Sequence, residues 1–194
     1  MNPHLVSVTR RCMMALAASL VLSGPAMAQA SPRVKFNTTA GDFVVALSPG
    51  KAPRTVENFL QYVRDRHYDG TLFHRVMDNF MIQGGGFTPD MQQKPTREAI
   101  PLEAGNGLKN DRGTIAMART ANPNSATAQF FINVVDNPGL NAPMPDGHGY
   151  AVFGNIVSGM DVVDKIRLSA TGNKGMHQNV PLNPILINSA TLLK

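Results

Sequence analysis

Residues 73–87 read FHRVMDNFMIQGGGF, and this stretch decides how the rest of the chain is interpreted. Residues 71–76 and 80–83 are mainly aromatic, β-branched and other apolar side chains, and the polar segment 77–79 between them tolerates unusual backbone angles. The sequence therefore predicts a β-hairpin that runs into three consecutive glycines.

The side chains of this hairpin are predicted to alternate between two faces, because successive residues of a strand point to opposite sides. Phe73 and Arg75 are expected on one face, and His74 and Val76 on the other. Arg75 and Gln83 would then bring hydrogen-bond donors beside apolar side chains, which is typical of a binding site.

The segment before this hairpin predicts another hairpin and a helix. Residues 34–36 and 43–47 are β-rich and are joined by 39–42, which contains a turn-forming Gly-Asp pair. Pro53 then precedes apolar residues at i, i+3, i+4 and i+7, a spacing that puts them on one face of an amphipathic helix. These residues are Val56, Phe59, Leu60 and Val63.

The later part of the chain predicts short strands separated by long irregular segments. Strands are expected at 113–117, 130–134, 150–157 and 184–193, and irregular segments at 88–110, 118–129 and 137–149. A second helix is predicted to begin at Gly159, with Met160, Val163 and Ile166 on one face. Several short strands with two helices favour a mainly β fold, in which the ends of a closed antiparallel sheet are capped by the helices.

The N-terminus has the order of a cleaved secretory signal over residues 1–28. Arg10 and Arg11 are followed by the apolar run 12–22 and by the small-x-small pattern of residues 26–28. Cleavage after Ala28 is preferred, and cleavage after Ala30 also fits the pattern. The apolar run is shorter than the roughly 20 residues needed to cross a bilayer, which argues against a permanent anchor.

Export leaves a single domain, residues 29–194, that needs no disulfide. The one cysteine, Cys12, lies in the signal, so a hydrophobic core must stabilise the domain. Loss of Arg10 and Arg11, with no acidic residue, lowers the net charge from +5 to +3. This mild excess without a clustered basic run gives little support for nucleic-acid binding. The Thr-Arg-Arg at 9–11 leaves both general secretion and the twin-arginine route open.

Motifs of common hydrolases and metalloenzymes are missing from the chain. There is no Gly-x-Ser-x-Gly sequence, and the exported chain has no cysteine to act as a nucleophile. Residues 84–86 lack the following Lys-Ser or Lys-Thr of a phosphate-binding loop, which favours a tight bend. The histidines His67, His74, His148 and His177 lack the spacing of a zinc site and are interpreted as surface or structural residues. No metal or cofactor is expected.

An arginine beside apolar side chains suits a reaction that breaks no covalent bond. Four ordered blocks of the sequence resemble the cyclophilin family of peptidyl-prolyl cis-trans isomerases. The blocks are FHRV at 73–76, FMIQGG at 80–85, GTIAMA at 113–118 and QFFI at 129–132. The resemblance covers nearly all of the exported chain. It implies an eight-stranded antiparallel barrel capped by two α-helices, with peptide bound in a groove on the outer face.

The resemblance also implies roles for individual residues. Arg75 matches the catalytic arginine, and the matched substrate-binding positions are Phe80, Met81, Gln83, Ala118, Arg119, Gln129, Phe131, Leu140 and Tyr150. Three positions depart from a common family pattern. Arg119 stands where asparagine is frequent, Tyr150 where many eukaryotic members have histidine, and Gly139 where an aromatic residue often borders the pocket. The departures at Gly139 and Tyr150 leave the strength of cyclosporin binding open.

The signal and the resemblance together predict a periplasmic isomerase that assists the folding of exported proteins. Its expected partners are proline-containing, incompletely folded polypeptides, without nucleic acid or stable membrane association, and a monomer is expected. A proline-peptide-binding chaperone with incidental catalysis remains the alternative. A basic RNA-binding barrel is disfavoured by the export signal and by the few aromatic residues available for base stacking.

Overall fold

The computed structural model describes residues 31–193. The predicted signal peptide and its two candidate cleavage positions therefore lie outside the described residues. Among the described residues, no helix combines the length and the apolar character that a membrane crossing requires.

The described chain contains ten strands, two α-helices and one short 3-10 turn. In chain order they are β1 (Arg33–Thr38), β2 (Gly41–Leu47), α1 (Pro53–Arg64), β3 (Thr71–Met77), β4 (Met81–Gly84), β5 (Thr114–Met117), β6 (Phe130–Asn133), the 3-10 turn (Pro138–Leu140), β7 (Val152–Ser158), α2 (Met160–Arg167), β8 (Thr171–Lys174), β9 (His177–Pro181) and β10 (Leu186–Leu193).

Eight of the strands close into an antiparallel barrel, which confirms the predicted fold class. Their order around the barrel is β1-β10-β3-β4-β6-β5-β7-β2, and β2 pairs with β1 to complete the ring. Closure leaves no strand edge of the barrel unpaired, which removes the site at which open sheets aggregate. The remaining two strands, β8 and β9, form a separate hairpin.

The barrel interior is an aromatic and aliphatic core to which both helices contribute. Phe59 of α1 is fully buried, and its ring lies 6.2 Å from Phe36, 6.1 Å from Phe130 and 5.0 Å from Phe153 between centroids. Ile166 of α2 is also fully buried in this core. The predicted apolar faces of the two helices thus cover the barrel, and each buried aromatic ring stabilises the fold by about 1.5–3 kcal/mol.

The predicted alternation of side chains along β3 is wrong, because the strand contains a β-bulge at His74. Phe73 pairs with Gly84 of β4, whereas Arg75 pairs with the next residue along, Gln83. Two steps on β3 therefore match one step on β4, and one residue lies outside the regular pairing. As a result Phe73 is in the interior core, while Arg75 lies on the outer wall of the barrel.

The β8–β9 hairpin was not predicted from the sequence, and the predicted irregular segment 137–149 contains the 3-10 turn. The strands of the hairpin read TGNK and HQNVP, which lack the alternation of apolar and polar residues that indicates a strand. Its second strand, β9, packs against β3, and His177 of β9 lies near His74 at the bulge. Residues 88–110 form only isolated bridges, as the sequence predicts.

Candidate active site

Strand register places four side chains in one row across the outer wall of the barrel. Arg75 of β3 pairs with Gln83 of β4, Gln83 with Phe131 of β6, and Phe131 with Ala116 of β5. Because paired residues of neighbouring strands point to the same face, this row crosses the wall from a cation to an apolar surface.

An apolar cluster surrounds this row and is separate from the barrel interior. Its buried members are Met81, Ala116, Phe131 and Val152, and its partly buried members are Met77, Phe80, Leu108, Ala118, Leu140 and Tyr150. An apolar patch on an outer wall is not needed to close the barrel, so it indicates a binding surface.

The cluster contains an open cavity of about 250 Å³. Its lining residues are Arg75, Phe80, Met81, Gln83, Ala118, Arg119, Phe131, Leu140 and Tyr150. The structure therefore brings nine of the ten predicted site residues together around one cavity. The tenth, Gln129, lines a neighbouring depression and accepts a 3.0 Å hydrogen bond from Nε2 of Gln83.

The guanidinium of Arg75 is held only weakly by its surroundings. Its Nη2 lies 3.3 Å from the sulfur of Met77, and its Cζ lies 5.9 Å from the centroid of the Phe80 ring. A thioether is a weak acceptor, and within residues 31–193 Arg75 forms no salt bridge. Most of its N–H donors can therefore be offered to a ligand in the cavity.

The predicted tight bend after β4 has a packing reason as well as a conformational one. Gly85 has φ of +84°, which favours glycine, and a Cβ at Gly86 would lie 2.5 Å from Cγ of Gln129. Glycine at 86 thus lets the Gln129 side chain cross the bend and reach Gln83.

His74 lies beside Arg75 in sequence but has a different environment. It is 5% exposed, its ring centroid is 4.7 Å from that of Phe87, and its Nδ1 has no hydrogen-bond partner. Burial, helped by the neighbouring imidazole of His177, lowers the pKa of His74 to about 4. His74 is therefore a neutral, buried residue at neutral pH, as its interpretation as a structural histidine requires.

The cavity offers hydrogen-bond donors and apolar contact rather than acid–base groups. Among its nine lining residues there is no carboxylate, thiol or imidazole. In the described part of the chain, no three His, Cys, Asp or Glu residues are grouped in a way that could hold a metal ion. The arrangement suits the binding and polarisation of a neutral, partly apolar group.

Tyr150 forms one wall of the cavity, and Gly139 precedes the lining residue Leu140 without lining the cavity itself. A Cβ added at Gly139 would meet no atom within 4 Å, so the space beside this position is open. Tyr150 donates its N–H to the carbonyl of Leu140 at 2.9 Å, and its ring meets the edge of Phe131 at 5.6 Å. Sequence reasoning did not identify Asp146, which pairs with Arg119 and carries no recognisable motif.

A closed antiparallel β-barrel with two helices and with an arginine beside an apolar cavity on its outer wall has the architecture expected of a cyclophilin. The comparison with family models agrees, because residues 33–192 match the model described as cyclophilin type peptidyl-prolyl cis-trans isomerase. The chain belongs to this family. It is a peptidyl-prolyl cis-trans isomerase, an enzyme that interconverts the two planar forms of X-Pro peptide bonds.

Individual relatives with high sequence identity are also named peptidyl-prolyl cis-trans isomerases. A peptidyl-prolyl cis-trans isomerase of Streptomyces antibioticus is 60% identical over 162 residues, which are 82% of this chain and 98% of the relative. Peptidyl-prolyl cis-trans isomerase B of Escherichia coli is 58% identical over 161 residues, again 82% of this chain and 98% of the relative.

A solved structure is similar over most of the chain. It is a cyclophilin type isomerase from Cryptosporidium parvum, determined in the presence of the dipeptide Ala-Pro. The TM-score is 0.72 at 27% sequence identity, with 84% of this chain and 99% of that chain covered.

Proposed function

We propose that this isomerase assists the folding of exported proteins in the periplasm, and that Arg75 provides the catalytic interaction. The observation that carries the catalytic proposal is the position of Arg75, whose guanidinium forms no salt bridge among residues 31–193 and lines the apolar cavity. A guanidinium in that place has donors available for a bound peptide.

The mechanism follows from the electronic structure of the amide. Rotation about an X-Pro bond is opposed by about 18–20 kcal/mol, because the nitrogen lone pair is shared with the carbonyl. In the twisted transition state the lone pair returns to the proline nitrogen, which becomes a better hydrogen-bond acceptor. An N–H of Arg75 donates to this nitrogen, and an interaction that strengthens only in the twisted state raises the rate.

The other cavity residues hold the peptide while the bond rotates. Phe80, Met81, Phe131 and Leu140 surround the proline ring, and Tyr150 closes the wall beside Phe131. Gln83, fixed by its hydrogen bond with Gln129, holds the carbonyl side together with the main chain of Ala118 and Arg119. No proton is transferred, which agrees with a cavity lining without carboxylate, thiol or imidazole.

The substrates are proline-containing segments of incompletely folded exported polypeptides. The solved relative determined in the presence of Ala-Pro supports an X-Pro unit as the group that is bound. Uncatalysed exchange takes tens to hundreds of seconds, which is slow enough to limit folding. The signal-like residues 1–28 support action after export, and a monomer is proposed.

An isomerisation assay on a proline tetrapeptide tests the catalytic proposal. Arg75→Ala should lower kcat/KM by about 100-fold, a loss of the size seen when a donor that stabilises a transition state is removed. Arg75→Lys keeps a positive charge but loses the planar fork of donors, so its kcat/KM should lie between those of Arg75→Ala and the wild type. Wild-type activity of Arg75→Ala would overturn the mechanism.

The alternative function is a proline-peptide-binding chaperone, and the open space around Gly139, next to the lining residue Leu140, is the observation that favours it. A surface without a side chain at this position would accept varied chains with less demand on geometry. Aggregation of a proline-rich client separates the two functions. If Arg75→Ala suppresses aggregation as well as the wild type does, binding rather than catalysis is the useful activity.

A further inference from the structure

The side chain of Arg119 is turned away from solvent, although the residue lines the cavity. Its side chain is 1% exposed, whereas the residue as a whole is only partly buried. The exposed part of Arg119 is therefore its main chain. Because the guanidinium is a permanent cation, such burial requires several compensating partners.

Arg119 has these partners, and most of them come from one loop. Nε and Nη2 donate to the carbonyl of Gly149 at 3.0 and 2.8 Å, and Nη2 also donates to Oδ1 of Asp146 at 2.8 Å. Nη1 donates to the carbonyl of Thr120 at 3.0 Å. The donors are thus largely used within the protein, and few remain for a peptide.

The guanidinium also supports the wall of the cavity. Its Cζ lies 4.5 Å from the centroid of the Tyr150 ring, within the range of a cation–π interaction. The Tyr150 ring in turn meets Phe131 edge to face at 5.6 Å and 81°. A movement of Arg119 would therefore be transmitted through Tyr150 to Phe131 on the cavity floor.

The loop that Arg119 holds is Asn141–Gly149, called the rim loop below. Its base is fixed by the fully buried Asn110, whose N–H donates to Oδ1 of Asn141 at 2.7 Å and whose Nδ2 donates to the carbonyl of Leu140 at 3.1 Å. At its tip, the hydrogen bonds of Met144, Gly147 and His148 found in the described chain stay within the loop. Arg119 joins that tip to the barrel.

We propose that Arg119 is a positioning residue of this isomerase, which holds the rim loop through Asp146 and Gly149 and sets the Tyr150 wall of the cavity. The inference rests on the proposed function of the cavity. Arg119 contacts the peptide through its main chain only, and its side chain acts through Tyr150. The hydrogen bond from Arg119 lowers the pKa of Asp146 to about 2, so the pair stays ionised at neutral pH.

Steady-state kinetics with a series of variants tests the role. Arg119→Met keeps the length of the side chain but removes its donors and charge, so KM should rise about tenfold with kcat within about twofold. Arg119→Lys should restore only part of the affinity, because an ammonium cannot make the forked contacts. Arg54→Met, which changes an exposed arginine on the first turn of α1, is the matched control and should behave as the wild type.

A double-mutant cycle separates positioning from direct contact. Asp146→Asn should raise KM about threefold, and adding it to Arg119→Met should have little further effect, because the two residues share one interaction. Additive effects would contradict the inference. So would a loss of affinity confined to peptides with acidic residues beside the proline, since that would show a direct charge contact.

Fluorine NMR with 3-fluorotyrosine gives a readout in the free enzyme. The chain has three tyrosines, and Tyr150→Phe assigns the signal of the wall residue. Arg119→Met and Asp146→Asn should shift or broaden the Tyr150 signal and leave those of Tyr62 and Tyr68 unchanged. An unmoved Tyr150 signal in both variants overturns the inference, and it does so whether or not the Arg75→Ala assay supports the catalytic proposal.

Discussion

His74 shows how a buried group beside the proposed catalytic arginine affects stability. Its pKa is about 4 in the folded protein and about 6.5 when the chain is unfolded. Between these values the unfolded chain binds more protons, so the free energy of unfolding must fall as the pH falls from 6.5 to 4. Burial lowers the pKa of His67 as well, which acts in the same direction.

Urea unfolding between pH 7 and pH 4 measures this contribution. The wild type should lose about 3 kcal/mol of stability from His74 over that range. His74→Gln, which cannot titrate, should show a shallower decline, whereas His148→Gln changes an exposed histidine and should follow the wild type. Identical pH dependence in His74→Gln and the wild type would contradict the assignment.

At the scale of residues, the sequence predicted which side chains gather around the cavity but not which way they face. The four sequence blocks indicated Arg75, whereas regular strand alternation predicted that it shares a face with Phe73. The β-bulge at His74 is a shift in the pairing of β3 with β4. The residues of β3 alone do not show where this shift occurs. Asp146 was missed for a similar reason, since its partner Arg119 is distant in sequence.

At the scale of elements, α1 depends on a carboxylate from a distant segment. Its N-cap residue, Ala52, provides no side-chain hydrogen bond. Glu103, from the irregular segment 88–110, instead accepts hydrogen bonds from the N–H of Arg54 at 3.2 Å and of Thr55 at 2.8 Å. A carboxylate at a helix N-terminus satisfies free N–H groups and interacts favourably with the helix dipole.

Removing this cap should lower stability without affecting catalysis. Glu103→Ala is expected to cost about 1–2 kcal/mol of unfolding free energy, measured by chemical denaturation. Glu98→Ala, at an exposed glutamate in the same segment, is the control and should cost much less. Because Glu103 does not line the cavity, kcat/KM should stay at the wild-type value, and a large loss would contradict the account.

The elements that sequence predicted well have strong local patterns. The apolar stripe of α1 and the β-rich runs of the barrel strands each carry their signal within a few residues. The β8–β9 hairpin lacks such a signal, because its strands are polar and it gains its place by packing against β3. Tertiary contacts, rather than local preference, determine that hairpin.

At the scale of the whole molecule, the cavity exists only because barrel closure brings distant segments together. The row from Arg75 to Ala116 crosses β3, β4, β6 and β5, although β5 precedes β6 in the chain. Local sequence patterns do not contain this order. The resemblance to a known family predicted the eight-stranded barrel and its groove, whereas the residue patterns alone predicted only a closed sheet with a binding site.

The proposed export and cleavage of the chain can be tested by expressing the protein in a Gram-negative host. Mass spectrometry then determines the N-terminal residue of the periplasmic form. The periplasmic form should begin at Gln29, or at Ser31 if cleavage follows Ala30. Replacing Arg10 and Arg11 by lysine should block export only if the twin-arginine route is used. Recovery of an uncleaved chain solely from the cytoplasm would contradict the proposed location.

Exchange NMR of an Ala-Pro peptide at saturating concentration tests the central claim most directly, because it separates binding from rotation. The account predicts that Arg75→Ala still binds the peptide, seen as shifts of the Met81 methyl signal. The same variant should exchange cis and trans forms about 100-fold more slowly than the wild type. Exchange at the wild-type rate by Arg75→Ala would contradict the proposal that its guanidinium stabilises the twisted amide.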